Sequence, residues 1–305
     1  MSLNFKSYFG VSLGKEKIDV KKQYKKNFSV KLYKKTIVKT GPKYLFYAAK
    51  NTSTLDLAIE AYNDFLKKNY EFDNNKINNL IFVTETNNLN FPGNSFLFAS
   101  KIDLNPKIKL YDLNSGCTGF VDALDLASNL SGSSLIICAE TYSRHIKKFD
   151  RSTSSLFSDG GSVFYFNKKN IKVVKTFKFS RKNSFKDLYS AKYNLFMDGR
   201  KVYDFVNFEV VKLLESILDM NKKIKLLFNH QASLTVETLI KTKLKKYKIS
   251  IPSNIKKIGN TVSSSIPHLF NEYLKKNKLK KNNEILICGF GVGLTVTASI
   301  IRLIK

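Results

Sequence analysis

The sequence predicts an α/β fold made of two similar halves, and three observations carry that expectation. Short apolar runs alternate with stretches of helical periodicity along the 305 residues. The first half alternates helix with strand, as a largely parallel sheet requires. The second half then repeats the scheme loosely, so element order predicts an internally duplicated, five-layered architecture.

Residues 1–50 are basic and mixed. Phe28 to Val38 alternates in part, through Phe28, Val30 and Leu32, and reads as a strand. Thr40, Gly41 and Pro42 mark a turn. Ser53 caps a helix in which Leu55, Ala58, Ile59, Tyr62 and Leu66 follow at helical spacing. Leu80 to Thr84 is a buried strand, Glu85 to Gly93 a polar loop and Asn94 to Lys101 a short helix. Ile108 to Leu113 is a further strand. Cys117 follows it between Gly116 and Gly119, at the start of an apolar-periodic run that reaches Leu130.

Ser134 to Ala139 is a strand, and Glu140 opens a charged loop. Phe157 to Phe166 is a glycine-rich turn leading into a strand. In the second half, Ile171 to Phe179 is a strand and residues 180–196 an excursion. Val202 to Met220 is one amphipathic helix, Ile224 to Phe228 a strand ending at Asn229 and His230, and Leu234 to Leu244 a helix. Asn260 and Thr261 precede a helix that runs to Leu274. Glu284 to Leu303 forms a closing hairpin around Gly289, Gly291 and Gly293.

Composition narrows the function classes. There are 52 Lys+Arg against 24 Asp+Glu, a net charge of +28. The lysines are dispersed and form no nucleic-acid-binding pattern, so drift toward Lys, Asn and Ile explains them better than nucleic acid does. The charge still suits docking of an acidic carrier. Three Cys give no disulfide framework, and no apolar leader or membrane span is evident, so a cytoplasmic protein is expected. No metal site and no permanently bound cofactor are expected.

Cys117 sits at a sharp strand-to-helix turn. Free N–H groups and the helix dipole there lower a thiol pKa and favour the nucleophilic thiolate. A buried, inert thiol is the plain alternative. His230 follows a buried strand at the end where such folds place catalytic groups. Asn260 stands between Gly259 and Thr261 at another junction. His145 and His268 read as ordinary. Gly291, Val292 and Gly293 offer backbone donors where side chains cannot intrude.

These residues, with their neighbours, resemble condensing enzymes of the thiolase superfamily, nearest to the β-ketoacyl-acyl-carrier-protein synthase III group. The matching motifs are Ser-Gly-Cys117-Thr-Gly-Phe, Asn-His230-Gln-Ala and Ile-Gly-Asn260-Thr. Phe157-Ser-Asp-Gly-Gly, Met197-Asp-Gly, Phe91-Pro92 and Gly289-Phe-Gly-Val-Gly-Leu-Thr match as well. They occur in the family's order across roughly residues 40 to 303. The last motif also resembles type III polyketide synthases.

The resemblance implies a thiolase-like αβαβα fold. Residues 1–167 would carry the nucleophile, and residues 168–305 the His and Asn. Cys117 would take an acyl group from a thioester, with the backbone N–H groups of Cys117 and Val292 as oxyanion hole. A malonyl thioester would then lose carbon dioxide, and His230 (from Nε2) and Asn260 would donate to the enolate. Coenzyme A or phosphopantetheine thioesters would be substrates, and an acyl-carrier protein and a second copy of the chain partners. Phe91 would shape the substrate tunnel across a homodimer interface. Lys43, Arg151 and Lys201 would grip the pantetheine or carrier. Neither nucleic acid nor membrane is an expected partner.

Departures from the family have consequences. There is no Trp to stack on adenine, Lys43 replaces an expected Arg, and Thr235 stands where Arg is common. These favour a carrier-bound primer over coenzyme A. Glu85, in Thr84-Glu85-Thr86, resembles the general-base context of hydroxymethylglutaryl-coenzyme A synthases. It is a candidate base for non-decarboxylative condensation, or for acyl transfer to a sugar, amine or alcohol. A loop Glu paired with lysine is the plain alternative. A non-catalytic scaffold is disfavoured, because no catalytic position is missing.

Overall fold

The computed structural model describes residues 5–147, 150–192 and 194–304. The first half begins with β1 (Phe9–Leu13) and β2 (Glu16–Asp19), then α1 (Val20–Asn27), α2 (Val30–Thr40) and β3 (Tyr44–Tyr47). It continues through α3 (Thr54–Lys68), β4 (Asn79–Val83), α4 (Asn94–Ala99) and β5 (Lys109–Leu113). α5 (Gly119–Asn129), β6 (Ser134–Glu140) and β7 (Gly160–Phe166) complete it.

The second half comprises β8 (Ile171–Ser180), the hairpin β9 (Leu188–Ala191) and β10 (Asn194–Met197), α6 (Gly199–Phe205) and α7 (Val211–Met220). Then come β11 (Leu226–Asn229), α8 (Leu234–Lys243), α9 (Ile255–Ile258), α10 (Ser265–Leu274), β12 (Glu284–Gly291) and β13 (Thr295–Leu303).

Each half supplies one sheet. The first has the order β1-β7-β6-β4-β5, the second β11-β12-β13-β8. Both are mixed rather than largely parallel. β4 pairs in parallel with β5 and β6, but β7 and β1 are antiparallel. In the second sheet only β11 and β12 are parallel.

Five layers result. α5 and α10 lie between the sheets, where Phe120, Leu124, Leu269 and Phe270 join strand residues of both in one apolar cluster. α3 packs on the outer face of the first sheet through Ala58, Ala61, Tyr62 and Phe65. α6, α7 and α8 cover the outer face of the second through Phe205, Leu214, Ile217 and Ile240. A sheet with both faces covered reads as continuous apolar strand, as β4 does from Leu80 to Val83.

Two elements differ from expectation. Phe28 to Val38 is helical, apart from its first two residues. Ser29 caps α2 by accepting the Leu32 N–H, and Tyr33, Thr36, Ile37 and Thr40 turn inward at helical spacing. The helix expected from Val202 to Met220 is interrupted by one π-helical turn at Val206–Val210. Ser53 caps α3 in a full capping box with Asp56.

Candidate active site

Cys117 stands on a single helical turn, Gly116–Thr118, between β5 and α5. It is 7% exposed. β12 crosses close to it, because a Cβ built on Gly291 would lie 2.9 Å from the Cys117 Sγ. Any side chain there would displace the thiol. The backbone N–H groups of Val292 and Cys117 both point at the sulfur. That is the pair of donors an oxyanion hole needs.

The thiol is not acidified by this setting. Burial pushes its pKa well up, and the carboxyls of Glu85 and Glu140 add to the rise, outweighing the two backbone donors. The expectation of a thiol acidified by a helix N-terminus is therefore corrected. Desolvation disfavours the charged form, and a buried thiol feels it in full.

His230 follows β11, and its N–H donates to the Cys288 carbonyl at 2.8 Å. Its ring lies edge-on to Phe290, centroids 5.5 Å apart. Phe290 and Gly291 are neighbours on β12, so one strand end touches both the histidine ring and the Cys117 thiol. Burial lowers the His230 pKa to about 3, so the imidazole is neutral.

Ser265 fixes the tautomer. Its hydroxyl donates to the Val262 carbonyl and so accepts from His230 Nδ1–H, 2.9 Å away. Nε2 is then a lone-pair acceptor in the resting site, not the donor expected from sequence. Asn260 faces it. The Val262 N–H donates to Asn260 Oδ1 at 2.8 Å, so the amide can present only Nδ2, which lies 3.5 Å from His230 Nε2.

Glu85 is drawn into the same site. A Cβ on Gly116 would fall 2.6–2.7 Å from its carboxyl atoms, so the side chain packs against the residue before Cys117. Tyr142 is hydrogen-bonded to it, and its Oε2 is shut off from solvent with no partner. Among the described residues no lysine forms an ion pair with Glu85. Burial raises its pKa.

Sequence reasoning missed Glu140. It is not the start of an exposed loop but the last residue of β6, fully buried. Burial and the Glu85 carboxyl raise its pKa. The only signal was an acid directly following an apolar run.

A cavity of about 520 Å³ opens between α2, α6 and α8. Thr40, Arg151, Arg200, Tyr203, Ala232 and Thr235 are among its walls, and Ala232 lies two residues beyond His230. Of the three cations expected to grip a carrier arm, Arg151 lines it. Lys43 instead lies over the Tyr44 ring, and Lys201 is bound to Asp187 at 2.8 Å. Phe91 is 85% exposed and lines no described cavity of its own chain.

Comparison with known proteins identifies the family. Residues 111–182 match the family described as 3-oxoacyl-(acyl-carrier-protein) synthase III, and residues 220–303 match its C-terminal part. Together these cover more than half of the chain. The chain belongs to the 3-oxoacyl-(acyl-carrier-protein) synthase III family.

Similar curated proteins extend the match. The β-ketoacyl-(acyl-carrier-protein) synthase III of Clostridium novyi is 28% identical over 279 residues, covering 83% of this chain and 86% of that one. The synthase III of Porphyra purpurea is 29% identical over 295 residues, covering 87% and 89%. Among solved structures, a 3-oxoacyl-(acyl-carrier-protein) synthase from Burkholderia xenovorans superposes with a TM-score of 0.87 at 24% identity. It covers 97% of this chain and 93% of that one. The synthase III of Aquifex aeolicus gives 0.85 at 23%, covering 96% and 98%. These likenesses carry the thiolase-like fold.

Proposed function

We propose that this enzyme moves an acyl group from a thioester onto Cys117 and joins it to a malonyl thioester with loss of carbon dioxide. In the first step the Cys117 sulfur bonds to the acyl carbon and the donor thiol leaves, carrying a proton in place of the one Cys117 gives up. In the second, the electron pair of the bond to carbon dioxide becomes the enolate. The enolate carbon attacks the acyl group, the Cys117–acyl bond breaks, and the thiolate is reprotonated. The backbone donors of Cys117 and Val292 stabilise the oxyanion of each acyl transfer.

One observation carries this reading. Asn260 is locked with its donor inward, 3.5 Å from His230 Nε2. A donor held there suits an enolate oxygen, which a plain acyltransferase does not form. In the resting site the neutral His230 Nε2 is an open acceptor, able to take the Cys117 proton during acylation and hand it to the leaving thiol.

The cavity walled by Arg151 and Arg200 suits a phosphopantetheine arm, from a carrier protein or coenzyme A, since both cations can pair with its phosphate. Incubation with acyl- and malonyl-carrier protein is the test. The expected result is a covalent acyl adduct on Cys117, absent in Cys117→Ser, and release of labelled carbon dioxide. An adduct on Cys138 or Cys288, or product without carbon dioxide, would reject the scheme.

A homodimer is part of the same proposal. β5 is an edge strand paired only with β4 among the described residues, and Leu89, Phe91 and Phe96 are exposed nearby. An open edge beside exposed apolar side chains suits pairing with a second copy. A stable monomer in sedimentation at working concentration would remove this part alone. One sheet per half supports the division at residues 167 and 168, and unpaired Cys117, Cys138 and Cys288 suit a reducing, cytoplasmic setting.

A second reading has its own support. Glu85, packed against Gly116 beside Cys117 with a raised pKa, would on that reading serve as general base for condensation without decarboxylation, or for transfer to a sugar, amine or alcohol.

A further inference from the structure

Two acids, Glu85 and Glu140, share the buried space beside Cys117, and their hydrogen bonds differ sharply. Glu140 receives four donors. The Glu85 N–H reaches its two oxygens at 3.3 and 3.1 Å, Thr84 Oγ1 lies at 3.2 Å, Thr86 Oγ1 at 3.0 Å and Ser263 Oγ at 2.7 Å. Each threonine hydroxyl already accepts an N–H and has its one hydrogen to give, although Thr86 Oγ1 also lies 2.9 Å from Thr54 Oγ1. Thr84 Oγ1 already accepts the Thr86 N–H at 2.9 Å, and Thr86 Oγ1 accepts the Thr141 N–H at 3.0 Å.

Glu85 has far less. Its side chain has Tyr142 and a buried Oε2 with no partner. The titratable groups around it are Glu140, Tyr142 and Cys117, all acids, and no ion pair reaches either carboxyl among the described residues. Two buried carboxyls that act on each other out of water do not both ionise freely. The charge settles where donors are most numerous, and a bare oxygen is tolerated better on a neutral carboxyl than on an anion.

We propose that Glu140 is a positioning residue that keeps the negative charge of the pair on itself, so that Glu85 faces Cys117 as a neutral carboxylic acid. A charged Glu85 would oppose thiolate formation at the nucleophile, and a neutral one does not. A Glu85 that carries the proton at neutral pH is also no base. The pair therefore supports the decarboxylating reaction and weakens the second reading. The inference rests on Cys117 as nucleophile but on no particular acceptor.

Infrared spectroscopy of the full chain, without substrate, reads the proton directly. At neutral pH a protonated-carboxyl band is expected that Glu85→Gln abolishes, since Glu140 then ionises on its own donors. In Glu140→Gln the band should persist but titrate at least about one pH unit lower, because the like charge is gone. Glu140→Asp keeps that charge and should hold the midpoint near its original pH. A merely structural Glu140 would leave the midpoint unmoved in Glu140→Gln, and that result would overturn the proposal. Survival of the band in Glu85→Gln would overturn it too, by placing the proton on Glu140, even if Glu140→Gln failed to fold. Failure of the proposed reaction shows elsewhere, as a missing acyl adduct or missing carbon dioxide, which this substrate-free measurement does not touch.

Discussion

A side-chain amide has a donor end and an acceptor end, and at Asn260 the fold decides which end meets substrate. With Oδ1 occupied by the Val262 N–H, the amide turns Nδ2 toward His230 Nε2. If decarboxylation makes the enolate, Asn260→Ala removes one of its donors. The rate of carbon dioxide release should fall by on the order of 100-fold, as for loss of a single oxyanion donor. Acylation of Cys117 should persist, because its donors are backbone groups. Glu85→Gln should then cost only a few-fold, since no proton is pulled from carbon. Single-turnover assays of each step separate the cases. A loss of roughly 100- to 10,000-fold in Glu85→Gln beside a harmless Asn260→Ala would mean base catalysis. The three main residues were legible in sequence because each stands at an element junction within a motif. The resting His230 tautomer was not, since Ser265 lies 35 positions away and meets the ring only in the fold. Glu140 was hidden for a similar reason. Its burial depends on Ser263 and on the turn after β4, which sequence spacing does not connect.

At the scale of elements, β12 does most to assemble the site. It pairs with β11, which delivers His230, and with β13. A Cβ on Gly289 would lie 2.6 Å from the Cys117 carbonyl, so the strand passes against the nucleophile turn with no room for side chains. That tight passage explains why a glycine-punctuated hairpin was readable at the end of the chain. α2 shows the opposite case. Phe28, Val30 and Leu32 alternate for only three positions, and exposed Val30 and Val38 blur the helical stripe. A short apolar alternation cannot outvote a capping serine followed by inward residues at 33, 36, 37 and 40. The antiparallel strands β1 and β7 were not foreseen as such. Strand direction is set by pairing across the sheet, and no local pattern reports it.

For the whole molecule, buried ionisable groups give stability a characteristic pH dependence. His230 and His268 have folded pKa values lowered by burial to about 3 and about 4, below the roughly 6.5 of an unfolded imidazole. As pH falls below about 6.5 the unfolded chain gains protons that the fold refuses, so stability is lost toward acid. Glu85 and Glu140 act with the opposite sign. Burial raises both, so the folded pair holds on to a proton that unfolded carboxyls release above roughly 4.3, and stability is lost as pH rises until that proton leaves in place. Between about 4.3 and 6.5 the two pairs oppose each other. Thermal melting of the enzyme should therefore show a broad optimum in mildly acidic buffer, with declines on both sides. Where one proton differs between the states, the slope is about 1.4 kcal/mol per pH unit. Glu140→Gln should flatten the alkaline decline and leave the acid one as it was, because only the carboxyl pair loses a member. An unchanged alkaline slope in that variant would mean that the pair shares no proton in the folded state, and that its acids ionise as freely as exposed ones.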